Sequence, residues 1–309
     1  MGSVGRPKLG IALGGGAARG WAHIGVLRTL VAAGLEPDIV AGTSIGAVAG
    51  ACYVTGRLDA LENFALALTR RRIFGFLDFN FAGSGLITGQ RLNARLDHHL
   101  EGFQIEQLDR KFVAVATELG TGHEIWLRKG SLVTALKASY ALPGIFKPVQ
   151  INGRWLIDGA LVNPIPVSVC RALGARVVIA VNLSTDIFNK GAVIHDHEAF
   201  ADPASSEDSD PLPGSNGRAA MHLLHRQIFG KSDGAPGISA VMMDAINITQ
   251  DRIARSRLAG DPPDIAIGPK LGDIGLFDFH RASEAIAQGA KATERAMDDI
   301  RHALRVLAA

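Results

Sequence analysis

The segment Gly42-Thr43-Ser44-Ile45-Gly46 is the first part of this chain whose residue types could carry out chemistry. A Gly-x-Ser-x-Gly string between a strand and a helix forces a sharp turn that exposes the serine at the carboxyl edge of a sheet. The flanking residues Gly42 and Gly46 lack a Cβ atom that would clash in such a turn, so Ser44 is a candidate nucleophile. The simpler interpretation is a serine that caps an ordinary helix.

A second segment, Gly14-Gly15-Gly16-Ala17-Ala18-Arg19-Gly20, also lies between a predicted strand and a predicted helix. Its backbone N–H groups can converge on one anion, and the helix N-terminus adds positive potential. Two chemistries fit this pattern. One is an oxyanion hole for attack on an ester carbonyl, and the other is a pyrophosphate site in which Glu36 or Asp38 binds the ribose. The spacing departs by one residue from the dinucleotide fingerprint, which counts against the nucleotide.

A third segment, Asp158-Gly159-Ala160, follows the apolar run Trp155-Leu156-Ile157. An aspartate at a strand end can point into the same crevice as Ser44 and accept the proton of its hydroxyl. Histidine usually has this role, because an ordinary aspartate is a weak base at neutral pH. A partly desolvated carboxylate within hydrogen-bond distance can also serve. Taken alone, an Asp-Gly pair is more often a turn.

Other candidate residues receive weaker interpretations. His23 is expected to be a structural histidine of the first helix. The run His195-Asp196-His197-Glu198 fits no recognised metal-ligand spacing, and the pair His222 and His225 has no third or fourth ligand nearby. The predicted chemistry needs no metal and no cofactor. The run Arg70-Arg71-Arg72 precedes a phenylalanine-rich stretch, which predicts either a core segment or a rim that contacts lipid.

Strand-like and helix-like patterns alternate along the chain, which predicts a largely parallel sheet covered on both faces. The predicted strands are 9–13, 37–41, 112–117, 124–127, 177–181 and 264–267, and the predicted helices include 45–54, 132–140, 238–258 and 279–307. The stretch 184–217 is acidic and contains prolines, so we predict a flexible insert within a single domain, 1–309.

Composition excludes several classes of protein. The 309 residues include 32 Lys and Arg against 30 Asp and Glu, so a strongly basic nucleic-acid-binding protein is not expected. The two cysteines, Cys52 and Cys170, have no CxxC spacing and exclude a disulfide scaffold. No apolar run reaches the roughly 18 residues of a membrane span. The sequence predicts a cytoplasmic protein with, at most, peripheral membrane contact, and it does not predict an oligomeric state.

Taken together and in this order, the three segments resemble the patatin-like phospholipase family. Two further segments stand at the places expected for that family, Ala138–Pro148 and Gln250–Arg255. The resemblance covers nearly the whole chain except the acidic insert. It implies the α/β fold class, as a three-layer α/β/α sandwich with a mainly parallel central sheet.

The resemblance also implies an activity and the residues that carry it. The expected activity is hydrolysis of acyl esters of phospholipids, lysophospholipids or related lipids through a Ser-Asp dyad, with Ser44 as nucleophile and Asp158 as base. Arg19 is expected to fix the glycine loop or to hold a substrate phosphate. The implied oxyanion-hole residues are Gly14, Gly15, Gly16 and Ala17, and the supporting glycines are Gly42, Gly46 and Gly159.

Two alternatives stay open at the level of sequence. One is a nucleotide-dependent oxidoreductase that uses the Gly14–Gly20 loop, although it explains neither the serine elbow nor Asp158. The other is a regulatory protein that keeps the fold and binds lipid without turnover.

Overall fold

The structure is a computed structural model that describes residues 7–69, 94, 98–186 and 238–308. Its strands are β1 (Leu9–Leu13), β2 (Ile39–Thr43), β3 (Lys111–Glu118), β4 (Glu124–Leu127), β5 (Val149–Ile151), β6 (Arg154–Asp158), β7 (Val177–Val181) and β8 (Ile265–Ile267). Its α-helices are α1 (Ala22–Ala32), α2 (Ile45–Val54), α3 (Leu58–Leu66), α4 (Leu132–Ser139), α5 (Val167–Ala172), α6 (Ile238–Gly260) and α7 (Ala282–Ala308).

The chain divides into two compact units. The larger comprises Met1–Ile187 and Thr249–Ala309, and the smaller comprises Phe188–Ile248. Most of the smaller unit, and with it nearly all of the predicted insert 184–217, lies outside the described residues. The predicted single domain therefore stays a prediction. The arginine and phenylalanine segment that starts at Arg70, and the histidines between His195 and His225, also lie outside the described residues.

The strands of the larger unit form one eight-stranded sheet in the order β5-β6-β3-β2-β1-β7-β8, with β4 paired to β3. The neighbours from β3 through β2, β1 and β7 to β8 are parallel, whereas β4 and β6 each pair antiparallel with β3, and β5 pairs antiparallel with β6. Strands β1 and β7 are buried along their whole length, as expected for parallel strands covered on both faces.

Two apolar clusters lie on the two faces of this sheet. On one face, Leu9, Ile11 and Leu13 of β1 belong to a cluster that also contains residues of α1, α2, α3, α4 and α7. On the other face, Ala12 of β1 and Val178 of β7 pack with residues of α5 and α6. The predicted three-layer α/β/α sandwich with a mainly parallel sheet is therefore confirmed.

The carboxyl ends of β2 and β6 meet along one edge of β3. Strand β4 pairs with residues 114–117 of β3, so β2 and β6 must both occupy its opposite edge. On that edge Thr43, the last residue of β2, pairs with Val115. The next position, Ala116, pairs with Asp158 at the end of β6. This register brings the residue that follows β2 next to the residue that ends β6.

A close crossing of two helices fixes α1, which follows the glycine-rich loop. A Cβ atom at Gly25 would stand 2.0 Å from the Ile286 carbonyl oxygen of α7. A Cβ atom at Gly289 of α7 would stand 2.0 Å from the Ala22 carbonyl oxygen. The two helix backbones are so close that only glycine fits at these positions.

Within the described ranges, none of the α-helices combines the length and the apolar character needed to span a bilayer.

Candidate active site

The turn between β2 and α2 places Ser44 in a strained backbone conformation. Ser44 has φ 57° and ψ −124°, in a region that non-glycine residues occupy at a cost of about 1–3 kcal/mol. The glycines on either side permit this geometry. A Cβ atom at Gly42 would lie 2.5 Å from the Ala47 backbone, and one at Gly46 would lie 2.2 Å from the Leu13 carbonyl oxygen. The segment is thus a sharp elbow rather than a relaxed helix start.

The Ser44 hydroxyl donates a hydrogen bond of 2.7 Å to Oδ2 of Asp158. It makes no capping hydrogen bond to α2, although Ser44 occupies the N-cap position of that helix. The helix-cap interpretation is therefore wrong. The sequence predicts these two residues as nucleophile and base, and the fold brings them together across 114 positions of the chain. Their roles in catalysis stay predictions.

Both carboxylate oxygens and both backbone polar groups of Asp158 form hydrogen bonds. Its second carboxylate oxygen, Oδ1, accepts from the Ala160 N–H at 2.8 Å, and this bond also caps the short 3₁₀ turn Gly159–Leu161. Its backbone N–H donates to the Ala141 carbonyl at 3.0 Å, and its backbone carbonyl accepts from Thr117 Oγ1 at 2.8 Å. The carboxylate therefore has one fixed orientation toward Ser44.

Burial makes Asp158 a stronger base than an ordinary aspartate. The residue is 2% exposed, and loss of hydration raises the pKa of its carboxyl group to about 6. The hydrogen bonds from Ala160 and Ser44 act in the opposite direction and lower this pKa. At pH 7 the carboxylate is still mostly ionised and can accept a proton.

Gly159 is required where the β6 strand turns away from β3. A Cβ atom at this position would stand 2.2 Å from the Val115 carbonyl oxygen. A larger residue would push the Asp158 backbone away from β3, the strand along which the ends of β2 and β6 lie next to each other.

The glycine-rich loop lies against the elbow, but its amides are not equivalent. A Cβ atom at Gly15 would lie 3.6 Å from Cβ of Ser44. The Gly14 N–H donates to the Val181 carbonyl at 3.2 Å, and the Gly15 N–H donates to the Pro164 carbonyl at 3.0 Å. Among the described residues, the N–H groups of Gly16 and Ala17 meet no acceptor. Of the four residues predicted to form an oxyanion hole, Gly14 and Gly15 thus have their N–H groups bonded within the fold, and the oxyanion role of the loop stays a prediction.

The Arg19 side chain is buried beside the glycine-rich loop and is bonded within the fold. The residue is 8% exposed, and its Nε donates a 2.7 Å hydrogen bond to the Ile274 carbonyl. Burial lowers the pKa of the guanidinium, while the negative charges of Asp186 and Asp278 act to raise it. Of the two predicted roles, the contacts favour fixing the loop over holding a substrate phosphate.

His23 is a buried structural residue, as the sequence analysis expected. Its Nε2 lies 2.7 Å from the Gly14 carbonyl oxygen, so this nitrogen carries the proton and donates. Burial lowers the pKa of the imidazole to about 4, which keeps it neutral at physiological pH. The residue contacts the glycine loop rather than Ser44.

The carboxylates considered for nucleotide binding have partners within the fold. Asp38 Oδ2 accepts from the Leu9 N–H at 2.9 Å at the start of β1, and Glu36 forms an ion pair with Arg110. Two of the loop amides are also bonded to protein carbonyls, as described above. These contacts count against a dinucleotide site that uses the Gly14–Gly20 loop.

Two buried polar residues next to the site had no role in the sequence analysis. The Ser139 hydroxyl accepts from the Ser44 N–H at 3.0 Å. The Asn163 carbonyl accepts from Thr43 Oγ1 at 2.8 Å, and the Asn163 side chain donates to Glu124, which is paired with Arg257 of α6. Ser139 and Asn163 stand in or near recognisable motif segments, but their spacing alone does not reveal which backbone groups they meet.

The sheet, the serine elbow and the aspartate acceptor together define an α/β protein in which a serine hydroxyl is hydrogen-bonded to a buried carboxylate. The comparison with known families is consistent with this class, because residues 11–171 match the family model described as patatin-like phospholipase. The chain belongs to the patatin-like phospholipase family, a family of lipid acyl hydrolases.

Two relatives, from Mycobacterium bovis and Caenorhabditis elegans, support the same assignment. An uncharacterised NTE family protein of Mycobacterium bovis is 31% identical in an alignment of 332 positions that covers 94% of this chain and 92% of that protein. A patatin-like phospholipase domain-containing protein of Caenorhabditis elegans is 36% identical over 57% of this chain and 14% of its own length. A crystal structure of VipD from Legionella pneumophila matches with a TM-score of 0.46 and 13% identity, over 95% of this chain and 67% of that one.

Proposed function

We propose that this protein is a serine hydrolase that cleaves acyl esters of phospholipids, lysophospholipids or related lipids through Ser44 and Asp158. The observation that carries the proposal is the 2.7 Å hydrogen bond from the Ser44 hydroxyl to the buried Asp158 carboxylate. It stands in a chain whose family is one of lipid acyl hydrolases. No cofactor or metal is required for the steps that follow.

In the first step, Asp158 Oδ2 accepts the hydroxyl proton while Ser44 Oγ attacks the ester carbonyl carbon. A serine hydroxyl is a weak nucleophile until a neighbouring base accepts its proton. The raised pKa of Asp158 improves this transfer, and the Ala160 N–H keeps the second carboxylate oxygen in place. Asp158 then returns the proton to the leaving alcohol, and Ser44 keeps the acyl group.

The negative charge that develops on the carbonyl oxygen needs hydrogen-bond donors. In this proposal the N–H groups of Gly16 and Ala17 supply them, because Gly14 and Gly15 donate to Val181 and Pro164 instead. Preorganised amide donors of this kind typically contribute about 100-fold or more to the rate. The packing of Gly15 against Ser44 sets the distance between this loop and the nucleophile.

In the second step, water attacks the acyl-enzyme, and Asp158 accepts a proton from that water. The intermediate then collapses, the fatty acid leaves, and Asp158 returns its proton to Ser44 Oγ. The base is thus used in both half-reactions, and the protein ends in its starting state.

The proposal is tested with Ser44→Ala, measured as fatty acid release from a lysophospholipid and as turnover of a short-chain ester. We expect the variant to lose at least about 1,000-fold in kcat while it stays folded, since the nucleophile of a covalent mechanism has no substitute.

Ser131→Ala is the matched control. The Ser131 hydroxyl is exposed and accepts from the Thr134 N–H at the start of α4. Its loss costs about 1 kcal/mol of stability and leaves turnover unchanged. Equal activity of Ser44→Ala and the wild type would refute the mechanism. An inactive wild-type protein that binds lipid would favour the non-catalytic alternative.

A further inference from the structure

Ser139 is a fully buried serine that touches the nucleophile's backbone. It is the last residue of α4 and has no exposed surface. Its Oγ accepts a hydrogen bond from the Ser44 N–H at 3.0 Å and donates one to the Val115 carbonyl at 2.6 Å. The hydroxyl therefore uses both its donor and its acceptor capacity on backbone groups.

These two backbone groups lie at the junction where two strands meet on β3. Val115 pairs with the last residue of β2, and its neighbour Ala116 pairs with the last residue of β6. The chain leaves β2 at Ser44, and the Ser44 N–H is satisfied by the Ser139 hydroxyl rather than by a strand. An N–H group that is shielded from water and has no acceptor is costly. The Ser139 hydroxyl therefore stabilises the elbow by accepting the Ser44 N–H, which no strand of the sheet accepts.

The same short segment also holds the other member of the dyad. The Ala141 carbonyl, two residues after Ser139, accepts from the Asp158 N–H at 3.0 Å. The rings of Tyr140 and Phe146 pack edge to face at 5.3 Å and fix this segment. The end of α4 thus contacts Ser44 through a side chain and Asp158 through the backbone.

We infer that Ser139 is a positioning residue for the nucleophile: its hydroxyl holds the Ser44 backbone in the strained conformation that directs Oγ toward Asp158. It also occupies the Ser44 N–H, so that this amide is not an oxyanion donor. The inference rests on the function proposed above. It adds a residue whose effect on the reaction is exerted through Ser44.

Removing the hydroxyl has a specific expected consequence. Without its acceptor, the Ser44 N–H seeks another partner, and the elbow relaxes away from φ 57°. A displacement of about 1 Å between nucleophile and base can cost about 100-fold in rate. Loss of the Ser44 hydrogen bond also removes one of the two contacts that lower the pKa of Asp158, the other being the Ala160 N–H.

The experiment compares the full-length wild type with Ser139→Ala and Ser139→Cys. Fluorophosphonate labelling rates, ester kinetics and the pH profile of kcat/KM are measured, with circular dichroism to verify folding. We expect Ser139→Ala to lower kcat and the labelling rate by about 100-fold with KM within about threefold of wild type. The acid limb of its pH profile should move to higher pH. The sulfur of Ser139→Cys forms only weak hydrogen bonds, so the kcat and the labelling rate of this variant should lie between those of the wild type and of Ser139→Ala.

Thr293→Val is the matched control for loss of a buried hydroxyl. Thr293 lies in α7, is fully buried, and donates to the Gly289 carbonyl at 2.9 Å. This variant should lose stability without a change in kcat or in the pH profile.

The outcomes separate the two claims. A wild type that is neither labelled nor active would refute the proposed function itself. A labelled, active wild type with Ser139→Ala equal to it in kcat, labelling rate and pH profile would overturn only the role of Ser139. If Ser139→Ala does not fold, a folded Ser139→Cys with wild-type kinetics and pH profile overturns that role equally.

Discussion

At the scale of single residues, the site depends on one carboxylate that is both buried and fixed. Asp158 is almost completely removed from solvent, which raises its pKa to about 6 and strengthens it as a base. An exposed aspartate at the same distance from Ser44 would be a much weaker base. The burial of Asp158 is therefore the physical property that allows a carboxylate to act as the general base, a role that histidine usually has.

This property predicts the pH dependence of the reaction. Only the ionised carboxylate accepts the Ser44 proton, so kcat/KM should be constant above pH 7 and fall through an inflection near pH 6. Well below that inflection it should fall about tenfold per pH unit. Initial rates on a short-chain ester between pH 4.5 and 8.5 measure the profile. A flat profile down to pH 4.5 would mean that Asp158 titrates like an ordinary aspartate or is not the base.

At the scale of elements, the register of the sheet assembles the dyad. Strand β2 ends opposite Val115 and β6 ends opposite Ala116, on the same edge of β3. Two segments more than a hundred residues apart thus end at adjacent positions. Glycines at 42, 46 and 159 remove the side chains that would keep the backbones apart.

Most elements, but not this register, could be predicted from the sequence. The patterns gave β1, α2, β4 and β7 with their observed bounds. Strand β2 was expected at 37–41 and lies at Ile39–Thr43, because the turn begins only at Ser44 and the strand continues into the Gly-x-Ser-x-Gly segment. Periodicity reports which face a residue occupies and not which strand lies opposite, so the meeting of β2 with β6 was not predictable from the residues alone.

The candidate site shows the same limit at the level of backbone groups. The residue patterns single out Ser44 and Asp158, the family resemblance implies their roles, and the glycine-rich string correctly indicates a loop beside them. It could not indicate that Val181 and Pro164 accept two of the loop's N–H groups. Nor could it indicate that the Ser139 hydroxyl meets the Ser44 N–H, since that contact depends on the position of α4.

The crossing of α1 and α7 yields a second prediction. Gly25→Ala should lower the free energy of unfolding by about 2 kcal/mol, although alanine favours helix, because the new Cβ would stand 2.0 Å from the Ile286 carbonyl. Gly260→Ala at the end of α6 is the control, since a Cβ there meets nothing within 4 Å. Chemical denaturation measures both. Equal stability of the two variants would show that the helices are not in such close contact.

At the scale of the whole molecule, two buried groups couple stability to pH with opposite signs. His23 has its pKa lowered from 6.5 to about 4, so the stability it contributes is present above pH 6.5 and is lost as the pH falls toward 4. Asp158 has its pKa raised from 3.8 to about 6, so the stability it contributes is present below pH 3.8 and is lost as the pH rises from 3.8 to about 6. Each effect amounts to about 3 kcal/mol, and between pH 4 and 6 they largely cancel.

The raised pKa of Asp158 also predicts how Asp158→Asn changes stability with pH. Asp158→Asn should abolish hydrolysis and yet raise the free energy of unfolding at pH 7 by up to about 3 kcal/mol, because a buried charge is removed. The gain should shrink toward zero near pH 4, where the wild-type carboxyl is protonated in the folded protein. Denaturant titrations at pH 7 and pH 4 measure both values. A destabilised variant at pH 7 would mean that hydrogen bonds to the carboxylate outweigh its burial.

The most direct test of the central claim is fluorophosphonate labelling followed by mass spectrometry of the intact protein and of its peptides. We expect one adduct per chain, located on Ser44, formed more slowly below pH 6 and absent in Ser44→Ala. An adduct on a different residue, or equal labelling of Ser44→Ala, would contradict the assignment of Ser44 as the nucleophile.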